Sequence, residues 1–373
     1  MSANYQDRIS KLRRAMQNEG LDAALLNPGP TLPYLTGLHF HISERPVILC
    51  IPADGEISIV LPELEKQKLA HASFPLSSHT YTEDLSSWQV GFDAALSSLA
   101  ASGATNVGIE PRSLRVLELR FIESALPGVN LGSCEKAVAK MRMQKDEAEL
   151  TLMREAVDMA QSALEDTLPH VKVGVSELEI SSILIQRLLA HGSGGELPFQ
   201  PIIAFGANSA NPHAVPTDYR ARVGDLILFD WGANNQGYFS DLTRTFALGE
   251  PDDTLRSIYE AVKNANAAGR SQSRPGVTAG SIDDASRGTI VEAGFGEYFT
   301  HRTGHGLGLE VHEEPYIRGG NERIMEPGMT FTVEPGIYLD GHGGVRIEDD
   351  VVITETGAES LSTYSRELRI LPA

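Results

Sequence analysis

The chain has 373 residues, enough for two domains with a sizeable core in each. Its 31 Lys and Arg stand against 50 Asp and Glu, a formal net charge of -19. No basic block exceeds short pairs such as Arg13-Arg14, which disfavours nucleic-acid binding, since phosphate neutralisation needs a basic face.

The opening stretch, Met1 to Met16, has the interleaved charges of an amphipathic helix and lacks the apolar centre of a secretory signal. No segment reaches the roughly 20 apolar residues of a membrane span, and the expectation is a cytoplasmic protein without a membrane partner. Cys50 and Cys134 have neither metal-ligand nor redox spacing and read as buried small hydrophobes. Strands expected at Ala23–Leu26, Pro46–Ile51 and Ile57–Leu61 alternate with helical stretches, including part of Glu110–Ala125. This is a small α/β domain with no phosphate-binding glycine motif.

The organisation divides near Gly132-Ser133-Cys134, giving domains 1–132 and 133–373. Beyond the division, Glu135 to Thr167 reads as one or two helices, with Met141, Leu150, Met153 and Ala160 near the helical repeat. Another helix begins at Ser176, where Ser176-Glu-Leu-Glu179 approximates a capping box. Helices over roughly 254–270 and 278–293 then follow a hairpin.

That hairpin, Asp225 to Asp241, carries the strongest chemical signal. Two apolar, β-rich runs flank Asn234-Asn235-Gln236-Gly237, the residues of a two-residue turn. A loop of Asn235-Gln236 sets Asp230 directly opposite Asp241, with Cβ atoms about 5 Å apart. Facing carboxylates in a buried ladder are unfavourable unless a proton or cation lies between them, and a cation fits better. More ligands are therefore expected downstream. His305 lies in the glycine-rich run His301 to His312, Glu334 in Met329 to Tyr338, and Glu348 in Gly343 to Asp350. Each of the two glutamates ends or interrupts an apolar β-type run, where a carboxylate is costly unless paired or metal-bound. Four carboxylates and one imidazole form a hard donor set suited to two divalent ions, Mn, Co, Fe or Zn, and hence to hydrolysis.

With these motifs the sequence resembles the creatinase/prolidase branch of the pita-bread metallopeptidases over nearly its whole length. The resemblance implies an α/β (α+β) chain, a creatinase-like N-terminal domain followed by a pita-bread catalytic domain. It implies that Asp230 binds one ion, that Asp241 and Glu348 bridge both, and that His305 and Glu334 complete the second, with Glu334 also moving protons. On spacing alone His213 and His312 read as structural residues; the resemblance assigns both to substrate and transition-state contact. It gives Arg346, two residues before Glu348, the task of holding the bridging acids in place.

The implied reaction is hydrolysis of Xaa-Pro dipeptides by a homodimeric exopeptidase using two divalent ions, Mn or Co foremost. The alternatives are an aminopeptidase acting on longer peptides, a metal-free creatine-type amidinohydrolase, which the full ligand set argues against, and a non-catalytic binding module, which would have lost ligands. One departure bears on the choice. Many prolidases of this family carry an arginine four residues after the second histidine, able to grip a dipeptide carboxylate; here that place holds Tyr316. Arg318, or Arg45 of a partner subunit's loop Leu38 to Arg45, is the expected substitute.

Overall fold

The computed structural model describes residues 4–373, which form two compact units dividing after Arg142. Among them no helix is long and apolar enough to cross a membrane.

In the first unit, α1 (Tyr5–Asn18) is capped by the Asn4 side chain and buries Ile9, Leu12 and Met16. A six-stranded sheet follows, formed by β1 (Ala23–Leu26), β2 (Ile48–Pro52), β3 (Ser58–Pro62), β4 (Ser77–Tyr81), β5 (Asn106–Ile109) and β6 (Asn130–Ser133) in the order β4-β3-β2-β1-β5-β6. It is mixed: β1 runs antiparallel to β2 and parallel to β5. Helices α2 (Thr31–Thr36), α3 (Ser86–Ala101), α4 (Val116–Ala125) and α5 (Glu135–Arg142) complete the unit. Phe92 and Leu96 of α3 and Ile122 of α4 join Leu25, Ile48 and Val60 in its core. The compact units therefore divide after α5, which packs on α1, and not before it at residue 132.

The second unit opens on α6 (Glu147–Thr167) and α7 (Glu177–Ala190), started by capping boxes at Asp146/Glu149 and Ser176/Glu179. The expected 135–167 stretch is thus two helices. Its break exists because Lys145 leaves helical pairing: the Lys145 N–H donates to Gly328 O, and its ammonium pairs with buried Glu313 at 2.5 Å.

One sheet, in the order β19-β11-β8-β7, joins β7 (Ile202–Phe205), β8 (Leu226–Trp231), β11 (Leu242–Leu248) and β19 (Ile370–Leu371). Between β8 and β11, the short strands β9 (Asn234–Asn235) and β10 (Tyr238–Phe239) close the hairpin tip. Helices α8 (Asp253–Gln272) and α9 (Ala279–Glu292) then pair with each other. A second sheet holds β12 (Gly304–Gly306), β13 (Glu313–Ile317), β14 (Thr330–Val333), β17 (Asp349–Ile353) and β18 (Ala358–Ser360) in the order β13-β12-β14-β17-β18, beside the hairpin of β15 (Gly336–Leu339) and β16 (Gly343–Arg346). A bridge between Thr243 and Glu348 connects β11 to the β16–β17 junction. Phe229, Trp231 and Leu242 of the first sheet share a core with Leu164, Ile180 and Leu184 of α6 and α7.

The hairpin turn corrects the expected pairing. Gln236 (φ 53) and Gly237 (φ 91) both take left-handed conformations, so the two-residue loop is Gln236-Gly237. The Asn234 side chain accepts from the Gly237 N–H and fixes the turn. Thr243, and not Asp241, consequently lies opposite Asp230.

Candidate metal centre

Sheet alternation and two close backbone approaches set the site. Shifting the hairpin by two positions preserves the face each residue occupies, because side chains alternate with period two. Asp230, at the end of β8, and Asp241, just before β11, therefore still project into one cavity of about 710 Å³, although they do not pair. On the facing sheet, a Cβ at Gly304 would stand 1.9 Å from Thr332 O and one at Gly306 2.3 Å from Glu314 O. Only glycines on both sides of His305 let β12 approach its neighbours closely enough to seat that imidazole.

The cavity gathers Asp230, Asp241, His305, Glu334, Arg346 and Glu348, all buried except Glu334, whose side chain is 14% exposed. One ligand atom each from Asp241, His305 and Glu348 lies within 4.8 Å of the others. His305 Nδ1 is 3.2 Å from Gly306 O, which makes it an N–H donor to that carbonyl and aims Nε2 into the cavity. That Nε2 stands 3.2 Å from Glu334 Oε1 and 3.7 Å from Asp241 Oδ2.

Electrostatics make the case for a cation. Burial, and then the neighbouring acids, push the Asp241 and Glu348 carboxyls well above the usual carboxylate range. Asp230 is also raised by burial, despite its ion pair with Arg346. Burial works the same way on Glu334, but the hydrogen bond and charge of His305, with His301 and Arg346, outweigh it and bring Glu334 down to about 2. Asp230 Oδ1 is buried without a hydrogen-bond partner. An oxygen-rich set with one orphaned carboxylate oxygen and an imidazole nitrogen aimed among the acids fits divalent metal, and its lack of thiolate argues against a structural zinc site.

Arg346 holds the acids in register. It pairs with Asp230, donates through Nε to Thr243 Oγ1 at 3.1 Å and through one terminal nitrogen to Tyr338 Oη at 2.9 Å. Thr243 in turn donates to Glu348 Oε2 at 2.6 Å. Behind them Arg244 donates to Glu348 O at 2.5 Å and to Asp349 Oδ1 at 2.7 Å, fixing the backbone that presents Glu348.

The remaining expected residues are placed as follows. His213 and His312 line the same cavity, and the His312 ring meets the His305 ring edge-on, centroids 4.1 Å apart. Tyr316 and Arg318 do not line it; Arg318 is exposed. Arg45 belongs to the first unit, where it bonds Glu83 at 2.9 Å and Glu44 at 2.5 Å.

Several groups escaped the sequence reading. His301 lies 2.8 Å from Tyr338 Oη through Nε2 and 2.7 Å from Arg302 O through Nδ1, so the phenol accepts from Arg346 and donates to His301. Arg302 lines the cavity. Glu177, fully buried at the start of α7, accepts from Phe205 N, Asn208 Nδ2, Thr217 N and Thr217 Oγ1, and so ties both ends of the loop carrying His213. His301 was findable, since it opens the same motif as His305. Glu177 was not, because it reads only as a member of a capping box.

Comparison with known proteins gives two family models: one described as metallopeptidase family M24 matches residues 151–355, and one described as the creatinase/prolidase N-terminal domain matches residues 8–144. The Xaa-Pro dipeptidase of Lactobacillus delbrueckii subsp. lactis is 33% identical over 98% of this chain and 99% of its own. A probable dipeptidase PepE of Mycobacterium tuberculosis is 36% identical over 99% of this chain and 97% of its own. The crystal structure of recombinant prolidase from Thermococcus sibiricus superposes with a TM-score of 0.92 at 32% identity, covering 100% of both chains.

Proposed function

From the premise that this chain belongs to metallopeptidase family M24, in its creatinase/prolidase branch, we propose that it is an exopeptidase hydrolysing Xaa-Pro dipeptides with two divalent metal ions. The observation that carries the reading is the convergence of Asp230, Asp241, His305, Glu334 and Glu348 on one cavity, with Asp230 Oδ1 left unsatisfied. In this reading Asp230, Asp241 and Glu348 would hold one ion, and Asp241, Glu348, His305 and Glu334 would hold the other. Mn or Co suits such oxygen-rich donors first, Fe or Zn after them. Divalent ions in this set supply Lewis acidity and an acidified water for peptide hydrolysis.

The chain's own groups do the rest. Glu334, held ionised by the partners around it, accepts a proton from the attacking water at Oε and returns it to the leaving nitrogen. His213 and His312 stand at the cavity edge, where their ring nitrogens meet the leaving group and the oxyanion. Arg346 keeps Asp230 in position while its own charge is shared with Tyr338 and Thr243. Pro198, Phe199, Ile202 and Val311 supply an apolar wall against which a prolyl ring packs out of water. The same reading takes the molecule as a cytoplasmic homodimer. The free, buried Cys50 and Cys134 agree with a reducing compartment.

The test is peptidase activity with and without metal. Chelation should abolish hydrolysis of Ala-Pro, and Mn or Co should restore it. With metal loaded, kcat/KM should fall in the order Ala-Pro, Ala-Pro-Ala, Ala-Ala-Ala. Full activity in chelator-treated, metal-free protein would falsify the two-metal reading. A tripeptide cleaved as fast as Ala-Pro would replace the dipeptidase by the aminopeptidase.

A further inference from the structure

Two guanidinium groups line the cavity, and only one has its donors committed. Arg346 donates to Tyr338, Thr243 and Pro212 O and pairs with Asp230. The Arg302 guanidinium makes no hydrogen bond or ion pair among the described residues; it lies with its carbon 4.5 Å from the centroid of the Tyr316 ring. Its backbone is held, because Arg302 O is bonded by His301 Nδ1 at 2.7 Å. Tyr316 is held likewise, its carbonyl accepting from Asn321 Nδ2 at 2.6 Å.

This arrangement has a chemical consequence. A guanidinium lying over an aromatic ring with no other partner keeps its N–H donors free, and those donors match the two oxygens of a carboxylate. The ring that carries it is Tyr316, four residues beyond His312 and on β13, whereas the charge comes from the segment leading into β12. No acidic side chain among the described residues pairs with Arg302, so an anion from outside is what its donors lack.

We propose that Arg302, seated on Tyr316, binds the free α-carboxylate of a dipeptide substrate and thereby sets the length of peptide this site accepts. The inference rests on the reading of the cavity as a dipeptide-hydrolysing metal site. A longer peptide presents a neutral amide where the dipeptide presents a carboxylate, and it forgoes the charge-assisted pair.

The experiment compares kcat/KM for Ala-Pro and for Ala-Pro-amide with metal-loaded, full-length protein, with metal content measured for every variant. The wild type should prefer Ala-Pro by about tenfold or more, the scale of a hydrogen bond to a charged group. Arg302→Ala should lose that preference mainly through KM, with Ala-Pro-amide hydrolysis within about twofold of wild type and metal content unchanged. Arg302→Lys should keep part of the preference, because a point charge remains without the fork. Tyr316→Leu, which removes the platform but not the charge, should fall between wild type and Arg302→Ala. Equal loss on both substrates marks a structural role and overturns the proposal, as does an undiminished preference in Arg302→Ala. If Arg302→Ala does not fold, Arg302→Lys and Tyr316→Leu decide it by the same ratio. A metal-loaded wild type that cleaves neither substrate refutes the dipeptidase reading itself, and the proposal falls with it.

Discussion

The floor and the rim of the cavity are held by opposite means. On the floor two of the acids are held by partners from other strands: Asp230 on β8 by Arg346 on β16, and Glu348 by Thr243 on β11, with Arg244 gripping the backbone behind. At the rim, His213 is exposed on a loop and Arg302 rests on one ring. The contrast teaches where each kind of substitution should register. On the proposed reading floor residues couple folding to metal affinity, because an unpaired buried charge costs several kcal/mol. Rim residues carry few contacts within the fold, so on the proposed reading their loss should appear in kinetics and leave the fold alone.

The sharpest way to break the comparison is Arg346→Ala. It strips a fully buried cation from Asp230 and leaves Tyr338 and Thr243 without their donor. Unfolding of the metal-free protein in urea should show a loss of about 3–5 kcal/mol, and metal titration a weakened site. A variant as stable as wild type would mean that the floor is not built on this ion pair.

Asp349→Asn tests the layer below. Burial opposes ionisation of Asp349, but Arg244 and Arg366 hold its carboxyl well below the usual carboxylate range. Because the folded-state value is depressed, the stabilisation is complete above the unfolded value near 3.9 and is lost as pH falls through the folded one. The variant should be about 3 kcal/mol less stable at neutral pH, with the gap narrowing below pH of about 4. A gap independent of pH in chemical unfolding would remove the charge from the account.

The two histidines divide the floor from the rim most directly. His305→Ala should lower bound metal, measured by elemental analysis. His213→Ala should keep the metal and lower kcat by about 10²-fold, the lower end of general acid–base contributions. The reverse pattern would interchange their roles.

How much of this was legible in the sequence follows the same division. The floor was, because buried acids in apolar β-runs are anomalous wherever they occur. Even the misplaced turn preserved the inference. Gln236 takes the left-handed position that Asn235 is chemically better suited to, the register moves by two, and both aspartates keep their face. What that error hid was Thr243, the residue that does oppose Asp230 and relays Arg346 to Glu348. The break between α5 and α6 stays open in the sequence as one helix or two, because Lys145 pairs with residues far along the chain. Rim residues are ordinary in sequence: an arginine after a histidine carries no anomaly until the ring beneath it is seen. Arg318 is expected from its charge and nearness in sequence, and Arg45 from its charge and its place in a loop that the resemblance assigns to a partner subunit. Arg302, fourteen residues before Tyr316 in number, is brought over that ring by β12 and β13 pairing.

The smallest effect is expected where the rim leans on a buried residue. Glu177 is fully buried, and its two oxygens accept from two backbone N–H groups, Phe205 and Thr217, at the two ends of the His213 loop. In Glu177→Gln one oxygen becomes an NH₂ group. Asn208 can turn its amide, and the Thr217 hydroxyl can rotate to accept, so both of those contacts survive. The backbone donors have no such freedom. Whichever way the glutamine amide points, either Phe205 N–H or Thr217 N–H faces another donor, at a cost of about 1–3 kcal/mol. That cost loosens one end of the loop without touching a metal ligand. The expected result is a kcat reduced several-fold for Ala-Pro, a nearly constant KM and unchanged metal content. If His213 has the role proposed for it, Glu177→Gln combined with His213→Ala should be no slower than His213→Ala alone, since the loop then has no such group to misplace. Additive losses in the double variant would show that Glu177 acts through something other than His213.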